Sequence, residues 1–520
     1  MHDKSTGNVK MKKKEEQGTG FARRTDFKWL AIGAVIFVLI GIIMPMPTSM
    51  TDKAEILYAN LSPEMQANTT PERMAYNIKI IIALLGACVV FFATEAIPLP
   101  AVALSIGLVQ LLFGTTPATR IVSTYAHDAV WFIAGSLALG ATLVKYGLDK
   151  RIGMFVMRLS GSNINRIVVG LLIGTSLPAA FIGEHAVAGM YLPIAVALYT
   201  LTNKQTPSPN LGRLLALTIA FGCMIGGPMS PTGGARNAIM IGFLSDFGID
   251  VSFMQWVSMG VIYTLIMIVG LSFIMPILFK PEVSDLSFAV NKLQKDLEKH
   301  GKMTGQQWLV AGIMIFVIFM WITDKTLLKG IFGFSLGLGV IAISGAVIYM
   351  LAGLTTWKDY EEGVSWGVVI LYAGAISLGS AFKATGAASW LADSIMTLVE
   401  PLGMNSGVPL VILVVLVGAC LTNLMSAGAT VAVIGPVVLG MAENSGTNPL
   451  LVGIALAISS SAAFWLVIGT PASSIMYSSG MFEAKDFIRG GTLAWPLGLL
   501  VLVFVIIVFW IKILNIPVNL

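Results

Sequence analysis

The stretch Pro178-Ala179-Ala180-Phe181-Ile182-Gly183-Glu184-His185-Ala186-Val187-Ala188-Gly189-Met190-Tyr191-Leu192-Pro193 places a carboxylate and an imidazole in the middle of a long apolar segment, between two prolines. At membrane depth an ionised group costs roughly 2.5–3.5 kcal/mol unless it is paired or faces water. The prolines and glycines also interrupt regular helix and free backbone groups that hydrocarbon cannot satisfy. Broken backbone of this kind is tolerated where it lines a cavity, which in a transporter means a binding site. The plainer alternative is a kinked helix with Glu184 and His185 paired to each other or to a neighbour.

The surroundings decide for the membrane. Of 520 residues, 56% are hydrophobic and 11% charged, against about 25% charged in soluble domains. Apolar runs recur along nearly the whole chain, so we expect an all-α polytopic membrane protein set in a lipid bilayer. The net charge of +5 is unevenly distributed and reads as topology, not as a nucleic-acid surface. Cys88, Cys223 and Cys420 sit in apolar runs without metal-ligand or paired spacing, so neither disulfides nor a thiolate metal site is expected. No cofactor motif is present.

Taken in order, residues 1–28 form a polar, Lys-rich tail. The first half, 29–279, holds spans near 29–44, 77–97, 101–113 and 131–144, with a polar loop at 45–73. A broken hairpin at about 167–201 and a break at 228–237 follow. A linker at 280–306 carries five lysines and a surface-helix pattern. The second half, 307–520, repeats the plan, with a hairpin at about 408–441 and a break at 469–474. Placing basic loops inside predicts eleven crossings, two re-entrant hairpins, a cytoplasmic N-terminus and an outer C-terminus. The outer connections then fall near 45–73, 325–331, 383–407 and 442–448.

The two halves are inverted copies. Gly135, Gly140 and Gly147 recur with the same spacing as Gly374, Gly379 and Gly386, and each trio precedes a broken hairpin and then a Gly/Thr/Pro-containing break. Inverted repeats with broken helices put substrate near the midplane, where helix N-termini face an anion.

With these parts in place, residues 75–515 resemble the divalent anion:sodium symporter family of di- and tricarboxylate transporters, in particular its bacterial dicarboxylate/anion exchanger members. That family carries Ser-Asn-Thr at each hairpin tip. Aligned on Pro193 and Pro436, this chain has Gly183-Glu184-His185 and Ser426-Ala427-Gly428 instead. The family's Gly-Thr-Pro-Pro-Asn break is matched by Gly233-Gly234-Ala235-Arg236-Asn237 and Gly469-Thr470-Pro471-Ala472-Ser473. The resemblance implies substrate contacts at Gly183, Glu184, His185, Ser426, Ala427, Gly428, Thr470 and Pro471. It also implies small dicarboxylates as substrates, a homodimer and a bacterial cytoplasmic membrane.

The departures carry a mechanism. The first tip lacks the oxygen donors that sodium requires, and the second keeps Thr422 and Ser426 but has Ala427 in place of asparagine. Arg236 and His185 are the cations placed to stand in for the lost ion, with Glu184 positioned to pair with Arg236. A tethered charge cannot leave, so the expectation is sodium-independent exchange of C4/C5 dicarboxylates, with sodium- or proton-coupled symport as the alternative. An enzyme using Glu184/His185 or Tyr125/His127/Asp128 would lack a nucleophile, metal or cofactor motif. A channel would not need two broken hairpins.

Overall fold

A computed structural model describes residues 25–298 and 302–520. The N-terminal tail expected at 1–28 therefore lies almost wholly outside the described residues, as does part of the lysine-rich linker. What is described is helical. Among the described residues, ten helices are long and apolar enough to cross a membrane, or up to twelve if each of two bent pairs counts as a span.

The helices follow the apolar runs, and capping residues set their starts. Asn163 accepts from Asn165 N and Arg166 N, Thr304 forms a capping box with Gln307, and Thr356 forms one with Asp359. Each satisfies amides that a helix start leaves unbonded. Burial sorts the spans by position. Pro209–Met229 is almost wholly buried and forms the centre, while Gly305–Phe332 is mostly uncovered and faces outward.

The repeat is complete at the level of elements. Asp128–Lys145 corresponds to Trp366–Thr385, and each is followed by a glycine with positive φ, Gly147 (66°) and Gly386 (81°). Next come helices of equal length, Leu148–Ser160 and Ala387–Val399, each of 13 residues. Then follow the hairpins, Pro209–Gly226 against Pro449–Ser459, the breaks, Ala235–Asp246 against Pro471–Ser478, and Phe253–Leu278 against Ala484–Phe504. Close packing respects the same relation. Gly135 abuts Ala342 and Gly374 abuts Ala103, each without room for a methyl group. Gly374 follows Gly135 by the same number of positions, 239, by which Ala342 follows Ala103. The glycine helix of each half thus rests on the short helix Leu99–Leu112 or Leu338–Leu351 of the other.

Both broken segments double back. In the first, Ile164–Ile182 and Glu184–Asn203 are joined by Gly183 alone, at φ 87°, a backbone region that glycine enters freely. Gly174 on one arm packs against the Tyr191 hydroxyl on the other. The start of the hairpin and the start of the helix that follows it, Pro209–Gly226, rest on one segment, where Ile164 N donates to Ser284 O (3.1 Å) and Asn210 N to Glu282 Oε1 (2.8 Å). The second pair, Gly407–Leu421 and Ala427–Asn444, closes similarly, with Gly407 N donating to Thr447 Oγ1 at 2.8 Å.

Three expected connections are helical: 325–331 continues the preceding span through Asp324–Leu328 and Lys329–Phe332, and two more hold separate helices. Residues 45–73 contain Thr48–Ala59, bent by 70° from the preceding span, and Pro63–Gln66. Residues 383–407 contain Ala387–Val399, whose continuation to Leu402 turns by 107° into the second hairpin. Both segments carry enough alternating polar residues to look like connections, yet both pack an apolar face on the protein.

Candidate functional site

Four helix starts converge at the centre, two at hairpin tips and two at breaks. The first tip begins its second arm at Gly183 and the first break begins its helix at Gly234. Neither start has a side-chain cap. The second tip is capped by Ser426, whose Oγ accepts from Ala429 N at 3.3 Å. Thr470 caps the second break and accepts from Ser473 N at 3.3 Å.

At the uncapped pair lies an ion pair. Arg236 Nη2 donates to Glu184 Oε1 at 2.7 Å, and the two side chains are only 3% and 7% exposed. Glu184 occupies the first turn of its helix, where the macrodipole favours an anion. Arg236 occupies the first turn of its own, where the macrodipole disfavours a cation, so it depends on the carboxylate. The pair is internally neutral. Glu184 therefore offsets the tethered positive charge that the sequence places here. Arg236 Nε is buried and has no hydrogen-bond partner, so it is a donor the pair leaves unused.

The first break is built to seat this pair. A methyl on Gly227 would collide with Arg236 Nη2 and Glu184 Oε1 together. Asn237 Nδ2 donates to Gly227 O (2.9 Å) and Ser230 O (2.7 Å), fixing the broken backbone. Ser230 and Thr232 hydroxyls both donate to Ala180 O, the latter at 2.8 Å, which ties the break to the first arm of the hairpin.

The second tip is held by neutral groups. Thr422 Oγ1 donates to Ser460 O at 2.6 Å, and Asn423 Oδ1 accepts from Trp465 N at 2.9 Å. Thr470 is buried and shares a hydrogen bond with Ser473 Oγ at 2.9 Å. The second tip also reaches the first break, with Gly428 facing the Ala235 methyl at 3.3 Å from where its own Cβ would stand. Ser426 is partly open and Pro471 exposed, whereas Ala427 is buried.

His185 stands apart from Arg236. It lines a cavity of about 410 Å³ with Gly140, Thr142, Lys145, Thr355 and Asp359. Lys145 Nζ donates to Asp359 Oδ2 at 2.9 Å there. Lys145 and Thr356 hold the Asp359 carboxyl down at about 2.

Sequence reasoning did not single out Gly227 as a seat or Asn423 as a tie. The only available signal was a polar or glycine residue inside an apolar run, which this chain has in abundance. Among the described residues no group of three or more His, Cys, Asp and Glu side chains could hold a metal ion.

The comparisons agree with this architecture. The chain is 25% identical to the sodium-dependent dicarboxylate transporter SdcS of Staphylococcus aureus strain USA300, over 86% of this chain and 89% of the relative, and equally to that of strain MRSA252. Its fold is similar to that of Neisseria gonorrhoeae MtrF, described as illuminating a class of antimetabolite efflux pumps (TM-score 0.55, 15% identity, 79% of this chain and 86% of that one). It is also similar to that of the Alcanivorax borkumensis YdaH transporter (TM-score 0.50, 15% identity, 77% and 89%). The family model described as the sodium:sulfate symporter transmembrane region matches residues 65–516. The chain therefore belongs to that family, the divalent anion:sodium symporters, and is a membrane transporter and not an enzyme.

Proposed function

We propose that this protein transports small C4/C5 dicarboxylates across a bacterial cytoplasmic membrane, and that it does so by exchange without sodium. The substrate class follows the curated relatives, named as dicarboxylate transporters. The observation that carries the coupling mode is the Arg236–Glu184 pair at 2.7 Å. A guanidinium joined to the chain fills the contact between first tip and first break, where a mobile cation would otherwise sit.

The pair's neutrality changes why an empty carrier should stall. No uncompensated charge has to cross. Instead, the empty site carries a buried donor without an acceptor, Arg236 Nε, beside two helix starts without a side-chain cap, after Gly183 and Gly234. An unsatisfied buried group costs about 1–3 kcal/mol. A substrate carboxylate would satisfy that donor, and a bidentate guanidinium contact suits it. The loaded carrier then moves and the empty one does not. We place the hairpins as re-entrant from opposite faces, the N-terminus in the cytoplasm and the C-terminus outside, and expect a homodimer.

A second mode draws support from Glu184 itself. Protonating it would release Arg236 to the substrate, which is proton-coupled symport. Proteoliposomes loaded with malate or with buffer, each with and without an imposed pH step, separate the two. Exchange requires that labelled dicarboxylate enter only the malate-loaded vesicles. Entry into buffer-loaded vesicles driven by an imposed pH step would instead establish the proton-coupled mode.

A further inference from the structure

The two repeats also pack differently against their glycine helices. Ala235–Asp246 packs against both glycine helices, Asp128–Lys145 and Trp366–Thr385. Gly242 meets Ile376 and Ala129, and the Phe243 ring is wedged against Gly379. The counterpart helix Pro471–Ser478 packs on Glu184–Asn203 and Pro209–Gly226, with no comparable contact to either glycine helix among the described residues. Its Tyr477 is 41% exposed. Gly140, the repeat mate of Gly379, meets only Ile182 at 3.5 Å and borders the 410 Å³ cavity. One face is thus sealed and its mirror image is open.

Two lysines record the same difference. Lys383, in the last turn of Trp366–Thr385, donates to Asp246 O at 2.9 Å and lies 3.8 Å from the Phe247 ring centroid. It therefore caps the C-terminal end of Ala235–Asp246, where the macrodipole favours a cation. The Asp246 carboxylate, whose buried Oδ2 has no hydrogen-bond partner, lies within electrostatic range of Lys383, Arg120 and His127. Lys145, in the last turn of the other glycine helix, donates instead to Leu354 O at 3.0 Å and to Asp359. Its partners lie beside its own helix and not on Pro471–Ser478.

We propose that Lys383 is the latch of the sealed face, holding Ala235–Asp246 against the glycine helices, and that Lys145 is its alternate, parked on Leu354 and Asp359 until Pro471–Ser478 closes over the cavity. This rests on the alternating-access part of the function proposed above. It adds which residues hold each end state.

The test uses a cysteine-free chain in nanodiscs, where both faces meet the reagent. Ala129→Cys reports the sealed contact, since Ala129 is 3% exposed, and Ala141→Cys reports the cavity. Lys383→Met should speed maleimide labelling at position 129 by about tenfold, the effect of losing one charge-assisted hydrogen bond, and slow it at 141. Lys383→Arg should restore the parent rates, and Lys145→Met should slow labelling at 129. Phe247→Leu, which removes the ring but leaves the charge, should give a smaller increase at 129 and serves if Lys383→Met does not insert. Unchanged labelling at 129 in Lys383→Met, or in Phe247→Leu if that variant has to stand in, would overturn the latch. So would an increase that Lys383→Arg fails to reverse. Labelling needs neither substrate nor ion gradient, so either outcome is distinguishable from failure of the exchange assay.

Discussion

The two hairpins start their second arms differently. The second uses Ser426 as a hydroxyl cap and is tied through Thr422 and Asn423 to the segment that precedes its break, at Ser460 and Trp465. The first starts at a bare glycine and meets its break through a buried ion pair. A neutral network loses one modest contact when one member is removed. An ion pair in a dry site leaves a stranded charge, and that penalty is far larger. The same fold therefore holds one tip with replaceable contacts and the other with a pair whose members are useless singly.

The largest effect should come from splitting that pair. Glu184→Ala should destabilise the protein by about 3–5 kcal/mol, the typical cost of orphaning a buried charge. Thermal unfolding in detergent would measure it. The double variant Glu184→Ala with Arg236→Met should be more stable than Glu184→Ala alone, and simple additivity would break the contrast between the tips. Arg236→Lys should keep part of the stability but lose most exchange, because an ammonium lacks the planar fork.

Next in size is Gly428→Leu. A side chain there drives the second tip off Ala235, so uptake should vanish while the purified protein keeps its fold by circular dichroism. Normal uptake would remove the second tip from the site. Thr422→Val should cost only about 1 kcal/mol, the usual worth of one neutral hydrogen bond. A loss as large as that of Glu184→Ala would mean the second tip is no more forgiving than the first.

The smallest effect concerns pH at the cavity. Lys145 and Thr356 hold Asp359 near 2, so its contribution is complete above the ordinary carboxylate range and is lost only as pH falls through that lowered value. Asp359→Asn should therefore leave the shape of the pH profile of exchange between pH 5 and 9 unchanged. A profile whose shape changes in that interval would show that this contact titrates there.

Much of this was legible in residue order. Charges inside apolar runs are conspicuous, so Glu184 and Arg236 stood out, and glycine spacing exposed the repeat. What could not be read is local direction. Successive helix residues point about 100° apart, so Glu184 reaches Arg236 while His185 faces the cavity. Gly227 was one of 54 glycines until the pair was seen to rest on it. Helices Thr48–Ala59 and Ala387–Val399 were hidden because a half-polar surface helix and a loop share composition.

We propose that a guanidinium tethered in the first break, against the first tip, makes sodium unnecessary. The most direct test is labelled-dicarboxylate uptake into malate-loaded proteoliposomes, with external sodium present or fully replaced by choline. The same rate in both is the expected result, with no uptake into vesicles that hold buffer alone. Uptake that collapses in choline, or that a sodium gradient drives into buffer-loaded vesicles, would contradict it.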